Sequence, residues 1–386
     1  MRILILSSST GGGHDMRARS LEQWVEVLKE RHPQIEISRY QALEESSKIY
    51  ALGVSIYNSI QKIWPALHHV YFNWLEFFQV SKFESLLLGK KHFHDALTQA
   101  NPDLILSVHA HLNHSFRSYA KRILPQVKFV TYCGELHGGY GFSRHWVDPQ
   151  ADAFIGATKT ICKAAIDLGM PKDRTLYGGF LLGTQFYKSA HPNHEEASTL
   201  CKNLGFVEGP LTLLLSTGAN GAQNHSKFIK SLASLQQSIQ VVALCGYNTK
   251  AQEELGALQQ VYPQLTIRAL GKRSDMYELM QIADLIVARP GTGTTSEAIM
   301  AGCPLIMNTL GGVMPQEWIT IKYLRAKGLP VKRLKKPHDL LGVIRGLTKD
   351  QEPLEAWKQQ MIALQPSLQP ADIVEHLITI ASRTKD

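Results

Sequence analysis

The chain has 386 residues, 44% of them hydrophobic and 19% charged, which describes a folded protein with room for two domains of ordinary size. Lys and Arg (41) outnumber Asp and Glu (33), for a formal charge of +8, but the basic residues are spread along the chain without a zinc finger or an aromatic RNA-recognition motif, so no nucleic-acid partner is expected. The five cysteines lie far apart with no C-x-x-C pair, which speaks against a zinc site or a disulfide framework and suits a reducing compartment; no apolar run reaches the ~20 residues of a membrane span, and Met1-Arg2 enters a strand-like segment directly, unlike a signal peptide.

Arg2 to Ser8 is a short apolar run followed by Ser9-Thr10-Gly11-Gly12-Gly13-His14. Leu21, Trp24, Val25 and Leu28 then recur at helical spacing, Pro33 closes that helix, and Ile35 to Ser38 reads as a second strand. Strand, glycine-rich loop, helix, strand is the opening of a doubly wound α/β fold. The loop lacks the spacing of a dinucleotide fingerprint or a P-loop. A tight turn needs one glycine, and three ahead of a helix predict that Gly11, Gly12 and Gly13 bring the backbone close to a ligand.

Tyr40 to Leu97 departs from the alternation. Ile49, Leu52, Ile56, Ile60 and Ile63 predict a helix ending near Trp64-Pro65. Val70-Tyr71-Phe72-Asn73-Trp74-Leu75-Glu76-Phe77-Phe78 follows, with Lys82, Lys90, Lys91, His92 and His94 after it. This composition suits helices that dip into a bilayer interface, each basic group near an anionic surface adding roughly 1 kcal/mol. The alternative is a set of helices buried against the sheet.

The strand Leu104 to Val108 ends in His109-Ala110-His111-Leu112-Asn113-His114. On an extended segment, side chains two apart point to opposite sides, and no acid or cysteine sits beside these histidines, so no metal site is expected and His109 is placed facing a ligand. Val127 to Thr131 runs into Tyr132-Cys133-Gly134-Glu135-Leu136-His137-Gly138, a glycine-rich loop whose Glu135 and His137 are catalytic candidates. Asp152 to Ile155 is a strand and Lys159 to Leu168 a helix. Pro171, Gly178, Gly179 and Gly183 mark a linker, dividing the chain into 1–185 and 186–386.

The second half repeats the plan: Leu211 to Leu215 with the loop Ser216 to Gly221 and a helix from about Ala222, then Val241 to Leu244, then Leu265 to Ala269. Ser274 is placed as N-cap of a helix through Met276, Leu279, Met280 and Ile282. Asp284 to Ala288 leads into Arg289-Pro290-Gly291-Thr292-Gly293-Thr294-Thr295, then a helix with Glu297, the apolar run Pro304 to Met307, and a loop ending Pro315-Gln316-Glu317. A strand that stops at a Gly/Thr turn and enters a helix offers free N–H groups and a positive dipole end, an anion site. The C-terminus is helical.

The stretch Ser9 to His14 resembles the opening motif of the monogalactosyldiacylglycerol synthase and processive diacylglycerol glucosyltransferase family. Ile56-Tyr57-Asn58 with Trp64-Pro65, Pro102-Asp103 through Ser107-Val108-His109, and Phe129-Val130-Thr131 resemble it too; Arg289 through Glu297 and Gln316-Glu317 are similar to that family and to the related lipid II synthase MurG. The resemblance implies the α/β GT-B fold: two Rossmann-like domains facing a cleft, residues 1–185 for acceptor and membrane, 186–386 for the nucleotide-sugar, with a C-terminal helix crossing back to the N-terminal domain. It implies inverting transfer from a UDP-hexose to a membrane lipid, diacylglycerol first, by a cytoplasmic protein held peripherally at the inner face of an anionic membrane. Gly218 and the loop Pro290, Gly291, Thr292, Gly293, Thr294 would meet the donor diphosphate, with Arg289 as a helper. Glu297 would bind the ribose, Gln316 and Glu317 the sugar, and the Arg268 to Met276 stretch the uracil. His14 would face the acceptor hydroxyl beside Gly11, Gly12, Gly13 and His109.

Inversion needs a base at the acceptor oxygen, a task suited to His. It also needs positive potential at the leaving diphosphate; with no D-x-D triplet in the chain, main-chain N–H groups and a basic side chain are expected to supply it, with no tightly bound metal and no other cofactor. One feature departs from the family, which has an aspartate directly after the Val-Thr strand end. Here Tyr132-Cys133 follows and Glu135 lies three residues further on. The rival functions are a MurG-like N-acetylglucosamine transfer to a polyprenyl-linked acceptor, a UDP-N-acetylglucosamine 2-epimerase, and a catalytically inactive lipid- or nucleotide-binding protein of the same fold.

Overall fold

The computed structural model describes residues 1–63, 65–78, 84–187, 194–216, 224–235, 237–349 and 352–383. Trp64, Lys82 and Gly218, with the loop around it and the expected start of the following helix, lie outside the described residues. The chain divides into two compact units, Met1–Thr184 with Met314–Thr320 and Pro366–Asp386, and Gln185–Val313 with Ile321–Gln365.

In the first unit the apolar runs become six parallel strands: β1 (Arg2–Ser7), β2 (Glu36–Gln41), β3 (Leu104–Ser107), β4 (Lys128–Cys133), β5 (Ala153–Gly156) and β6 (Thr175–Tyr177), in the order β2-β1-β3-β4-β5-β6. β3 and β5 are buried at every position, as strands covered on both faces must be, whereas the edge strand β2 is mostly exposed or half-buried. The second strand was expected at Ile35 to Ser38. It runs instead from Glu36 to Gln41, because its length is set by pairing with all six residues of β1, Arg2 with Glu36 through Ser7 with Gln41.

The second unit carries β7 (Leu211–Leu215), β8 (Ile239–Gly246), β9 (Leu265–Gly271), β10 (Leu285–Ala288), β11 (Leu305–Asn308) and β12 (Arg333–Leu334), all parallel, in the order β12-β11-β10-β7-β8-β9. Counted within the unit this is the Rossmann order. Strand order reverses between β1 and β3 in one sheet and between β7 and β10 in the other, so the loops after these four strands are where an open parallel sheet takes its ligand. The helix Met276–Ile282 starts from Asp275 rather than from Ser274. Asp275 makes no side-chain cap because its carboxylate is clamped by the Arg273 guanidinium, Nε to Oδ1 at 2.8 Å.

The helix Pro370–Ser382 belongs to the first unit, so the chain does return there. A capping box between Gln369 and Asp372 starts it, and Ile373, Val374, Leu377 and Ile380 form its buried face against the helix Gly13–Val27. His32 Nε2 lies 2.8 Å from Glu375 Oε1 at the rim. Leu377 is fully buried, so Leu377→Ala leaves a cavity and should cost about 2–5 kcal/mol. Denaturant titration should show a lower midpoint for the transition that reports the first unit.

Candidate active site

On the first unit, β1 ends at Ser7 and its following loop is pinned by one carboxylate: Ser8 Oγ, Ser9 N and Ser9 Oγ all donate to Glu44 Oε1, at 3.0, 2.7 and 2.7 Å. Gly11 and Gly12 then take φ of +66° and +77°, a left-handed turn that L side chains resist, and Gly12 caps the helix Gly13–Val27. A Cβ on Gly12 would meet no described atom within 4 Å, so the loop faces open space. The helix N-terminus and its first-turn N–H groups are delivered there.

His14 sits in that first turn. Its Nδ1 lies 2.7 Å from the Val108 carbonyl, which can only accept, so Nδ1 carries the hydrogen and Nε2 keeps its lone pair. Desolvation by burial, followed by the charge of Arg17, holds the imidazole down at about 3, so it is neutral at physiological pH. His109, expected to face the ligand, is engaged by the scaffold. Its Nδ1 accepts from His111 N at 3.2 Å, which leaves Nε2–H to donate to Thr10 Oγ1 at 2.9 Å. Its ring backs His14, edge-on at 4.4 Å, and Trp146 lies 5.9 Å from His14. His109, His111 and His114 form no metal-ligand group among the described residues.

Glu135 arrives from the loop after β4 and is buried, with its Oε2 lacking a hydrogen-bond partner among the described residues. Burial raises its carboxyl to about 7, against the opposing pull of Arg17. Arg17, one helical turn from His14 and also buried, donates from Nη2 to Gly134 O at 3.0 Å. Its guanidinium lies so close that a Cβ on Gly134 would come within 2.0 Å of Nε, which is why glycine precedes Glu135. Tyr132, standing where the family carries aspartate, is a core residue: its hydroxyl donates to Gly179 O and accepts from Leu181 N, both at 2.8 Å. His137 turns its Nδ1 to Gly138 O at 2.8 Å and does not line the cavity described next.

His14, His109, Glu135 and Gln316 border one cavity of about 270 Å3 within the first unit. Much of its remaining wall comes from the 42–100 segment, including Tyr50, Val54, Phe72 and Leu75, with the mostly exposed Ile49 also bordering it. That segment folds as helices Lys48–Ile63, His68–Phe78 and Lys90–Ala100. These helices carry both buried and exposed apolar positions. Val54 is buried, whereas Ile49 (67% exposed), Leu52 and Ile56 form an outward stripe, as do Val70, Trp74 and Phe77 (79%) on the next helix. No helix among the described residues is long and apolar enough to cross a membrane.

On the second unit, β10 ends and the helix Thr292–Ala301 begins after Gly291, with Pro290 buried beneath the turn. The first-turn N–H groups of the helix point out of its N-terminal end, along the positive end of its dipole. Glu297 lies one turn further, half-buried. Arg289 braces the turn from behind: Nη1 donates to Leu310 O at 3.0 Å and Nη2 to Gly312 O at 2.8 Å, tying the end of β10 to the loop after β11. In the expected uracil stretch, Arg268 Nε reaches Leu204 O at 2.5 Å.

Gln316 and Glu317, paired in the sequence reading, part company. Both stand in the first turn of the helix Pro315–Ala326 and group with the first unit. The Glu317 carboxylate is buried and accepts from Met314 N at 2.8 Å, a helix cap. Gln316 lines the cavity and donates from Nε2 to Tyr57 Oη at 2.8 Å. Sequence reasoning missed Arg17 and Glu44. The i, i+3 spacing of His14 and Arg17 on one helix face was the available signal for Arg17; nothing local signals Glu44.

Residues 212–314, from β7 to the start of the Pro315–Ala326 helix, match the glycosyltransferase family 28 C-terminal domain. Along its length the chain is 24% identical to a processive diacylglycerol beta-glucosyltransferase of Bacillus pumilus, over 98% of this chain and 94% of that protein. Among solved structures, MurG of Acinetobacter baumannii matches with a TM-score of 0.60 at 15% identity, over 99% of this chain and 100% of that one. Anabaena HepE in complex with UDP-glucose matches at 0.52 and 13%, over 99% and 97%. With two Rossmann-like parallel sheets, a family 28 C-terminal domain and full-length relatives of that kind, the chain is a glycosyltransferase of the GT-B fold, related to the processive diacylglycerol beta-glucosyltransferases.

Proposed function

We propose that this glycosyltransferase moves a hexose from a UDP-sugar to a lipid hydroxyl, with diacylglycerol as the acceptor, as a peripheral protein on the cytoplasmic face of a membrane. The observation that carries the reading is the cavity of the first unit, whose lining joins apolar side chains suited to a lipid with His14, whose Nε2 keeps its lone pair, and Glu135, whose Oε2 has no hydrogen-bond partner among the described residues. The relatives named as diacylglycerol glucosyltransferases support the same acceptor and make UDP-glucose the first donor to test.

In the proposed reaction the acceptor oxygen bonds to the anomeric carbon as the bond from that carbon to the diphosphate breaks, inverting the centre and releasing UDP. The hydroxyl proton passes to His14 Nε2 as the oxygen attacks and from there to the ionised Glu135 carboxylate. Glu135, whose carboxyl titrates near neutrality, is the group suited to carry the proton at pH 7, in the place of the family aspartate. Charge on the leaving diphosphate is met by the N–H groups at the start of the helix Thr292–Ala301 instead of a resident metal. Glu297 takes the ribose and Gln316 a sugar hydroxyl. Glu317 acts on Gln316 through the helix cap, as a positioning residue. The outward stripes of Ile49, Leu52 and Ile56 and of Val70, Trp74 and Phe77 seat in the lipid interface, with the basic residues Lys90 and Lys91 following in the chain.

Radiolabelled UDP-glucose incubated with diacylglycerol vesicles should yield labelled glycolipid, and His14→Ala should lower kcat by about 10²-fold or more. No labelled lipid with any common UDP-hexose or UDP-N-acetylhexosamine would sink the proposal. Because Glu135 must be ionised to act, kcat/KM should fall tenfold per pH unit below about 7 and level off above it. Glu135→Gln should be slow and flat across that range, and an unchanged acidic limb would remove Glu135 from the role. In flotation, the protein should rise with anionic vesicles, and the double change Trp74→Glu with Phe77→Glu should leave it at the bottom of the gradient. A wild-type protein that ignores the vesicles would refute the interfacial assignment.

A further inference from the structure

The helix Lys48–Ile63 has two working faces. One carries the outward stripe of Ile49, Leu52 and Ile56. The other ends in Tyr57 and Asn58, and these two adjacent side chains reach two different parts of the site. Asn58 accepts from Gly11 N through Oδ1 at 3.0 Å and donates from Nδ2 to Ser9 O at 3.4 Å. It therefore bridges the loop whose left-handed turn delivers His14. Tyr57 accepts from Gln316 Nε2 through its hydroxyl at 2.8 Å. The phenol is itself held, with its ring edge-on to His68 at 4.5 Å and to Tyr71 at 6.0 Å.

The Gln316 contact has a geometric consequence. A carboxamide is planar, so fixing Nε2 on the phenol fixes the direction of Oε1. Gln316 lines the cavity, and its amide is thereby presented with the acceptor oxygen as the group offered to a ligand hydroxyl. Without the phenol the amide can rotate and offer either end. The Asn58 contact works on the main chain in the same way. Gly11 and Gly12 leave the loop free to adopt many conformations, and a side-chain amide that bonds both Ser9 O and Gly11 N restricts it to one.

We propose that Tyr57 and Asn58 are positioning residues through which one apolar helix sets both substrates: Tyr57 orients Gln316 for a hydroxyl of the donor sugar, and Asn58 holds the Ser9–Gly12 loop for the acceptor hydroxyl. The inference rests on the reading given above for Gln316 and for the outward stripe. It adds that seating the stripe on a lipid surface steadies the helix and so both contacts, which makes turnover dependent on the surface as well as on the acceptor it contains.

Calorimetric titration with UDP-glucose, which needs no turnover, tests the donor half. Tyr57→Phe, which removes one hydroxyl and keeps the ring, should weaken UDP-glucose binding about five- to tenfold and raise the donor KM by the same factor, with the acceptor KM within about twofold of wild type. Asn58→Ala should do the reverse, raising the acceptor KM or lowering kcat with UDP-glucose affinity unchanged. Asn58→Asp, which keeps the oxygen that accepts from Gly11 N, should recover part of the loss. With a short-chain acceptor in solution, empty anionic vesicles should stimulate the wild type and stimulate both variants less, although all three float equally. Tyr57→Phe that binds UDP-glucose as wild type does, or that weakens donor and acceptor alike, overturns the proposal. A wild type that binds UDP-glucose but transfers nothing fails the transferase reading instead. If Asn58→Ala does not fold, the Asn58→Asp and Tyr57→Phe pair decides the outcome.

Discussion

The hydrogen bond from His14 Nδ1 to the Val108 carbonyl, 2.7 Å long, joins the loop after β1 to the loop after β3 where the strand order reverses. Most of the acceptor side takes its position from that bond. It selects the tautomer of His14 and so decides which nitrogen is bare. It sets the imidazole against His109, which is held in turn by Thr10 and the His111 amide. A histidine that donates to a main-chain carbonyl cannot drift with side-chain neighbours, and Val108, just past β3, is itself held to β1 through its N–H on Leu6 O at 3.1 Å.

Arg17 is the second organising group. Its guanidinium, buried one turn beyond His14 and stacked on the glycine before Glu135, acts on both titrating residues. It pushes the imidazole further from protonation and partly offsets the burial that would keep the carboxyl neutral. Burial separates the ionisation of the histidine and the carboxylate that share the cavity, lowering the one and raising the other, while the buried cation lowers both. In the second unit Arg289 grips two main-chain carbonyls and stiffens the turn into the Thr292–Ala301 helix.

Much of this architecture was legible in the sequence because it is written in local periodicity. Short apolar runs predicted β1, β3, β4, β7 and β10, with a glycine-rich turn after each in the sequence except β3. The helical spacing of Ile49, Leu52 and Ile56 predicted a helix ending where it does, before Pro65. Errors arose where pairing overrode pattern: β2 extends to match β1. Side-chain assignments fared unevenly for a related reason. His14 and Glu135 could be picked out by type and place. That Thr10 holds His109 where it borders the cavity, that Gln316 turns to the cavity, and that Tyr132 belongs to the core follows from partners far away in the chain, whereas Glu317 caps its own helix through a local contact.

The sequence by itself determined the alternation of strands and helices, the glycine turns and the chemical groups placed after them, since these depend on residues within a few positions of one another. Only the tertiary structure decided which of those groups share a cavity, which nitrogen of His14 keeps its lone pair, and where the Glu135 carboxylate is seated. Each of these depends on contacts across 94 to 259 residues of chain, such as Tyr57 with Gln316, Arg17 with Gly134 and His14 with Val108. The apolar segment that opened two readings shows the same division. Its composition announced helices with too many hydrophobic faces, and only packing could assign one face to the cavity and leave the other bare.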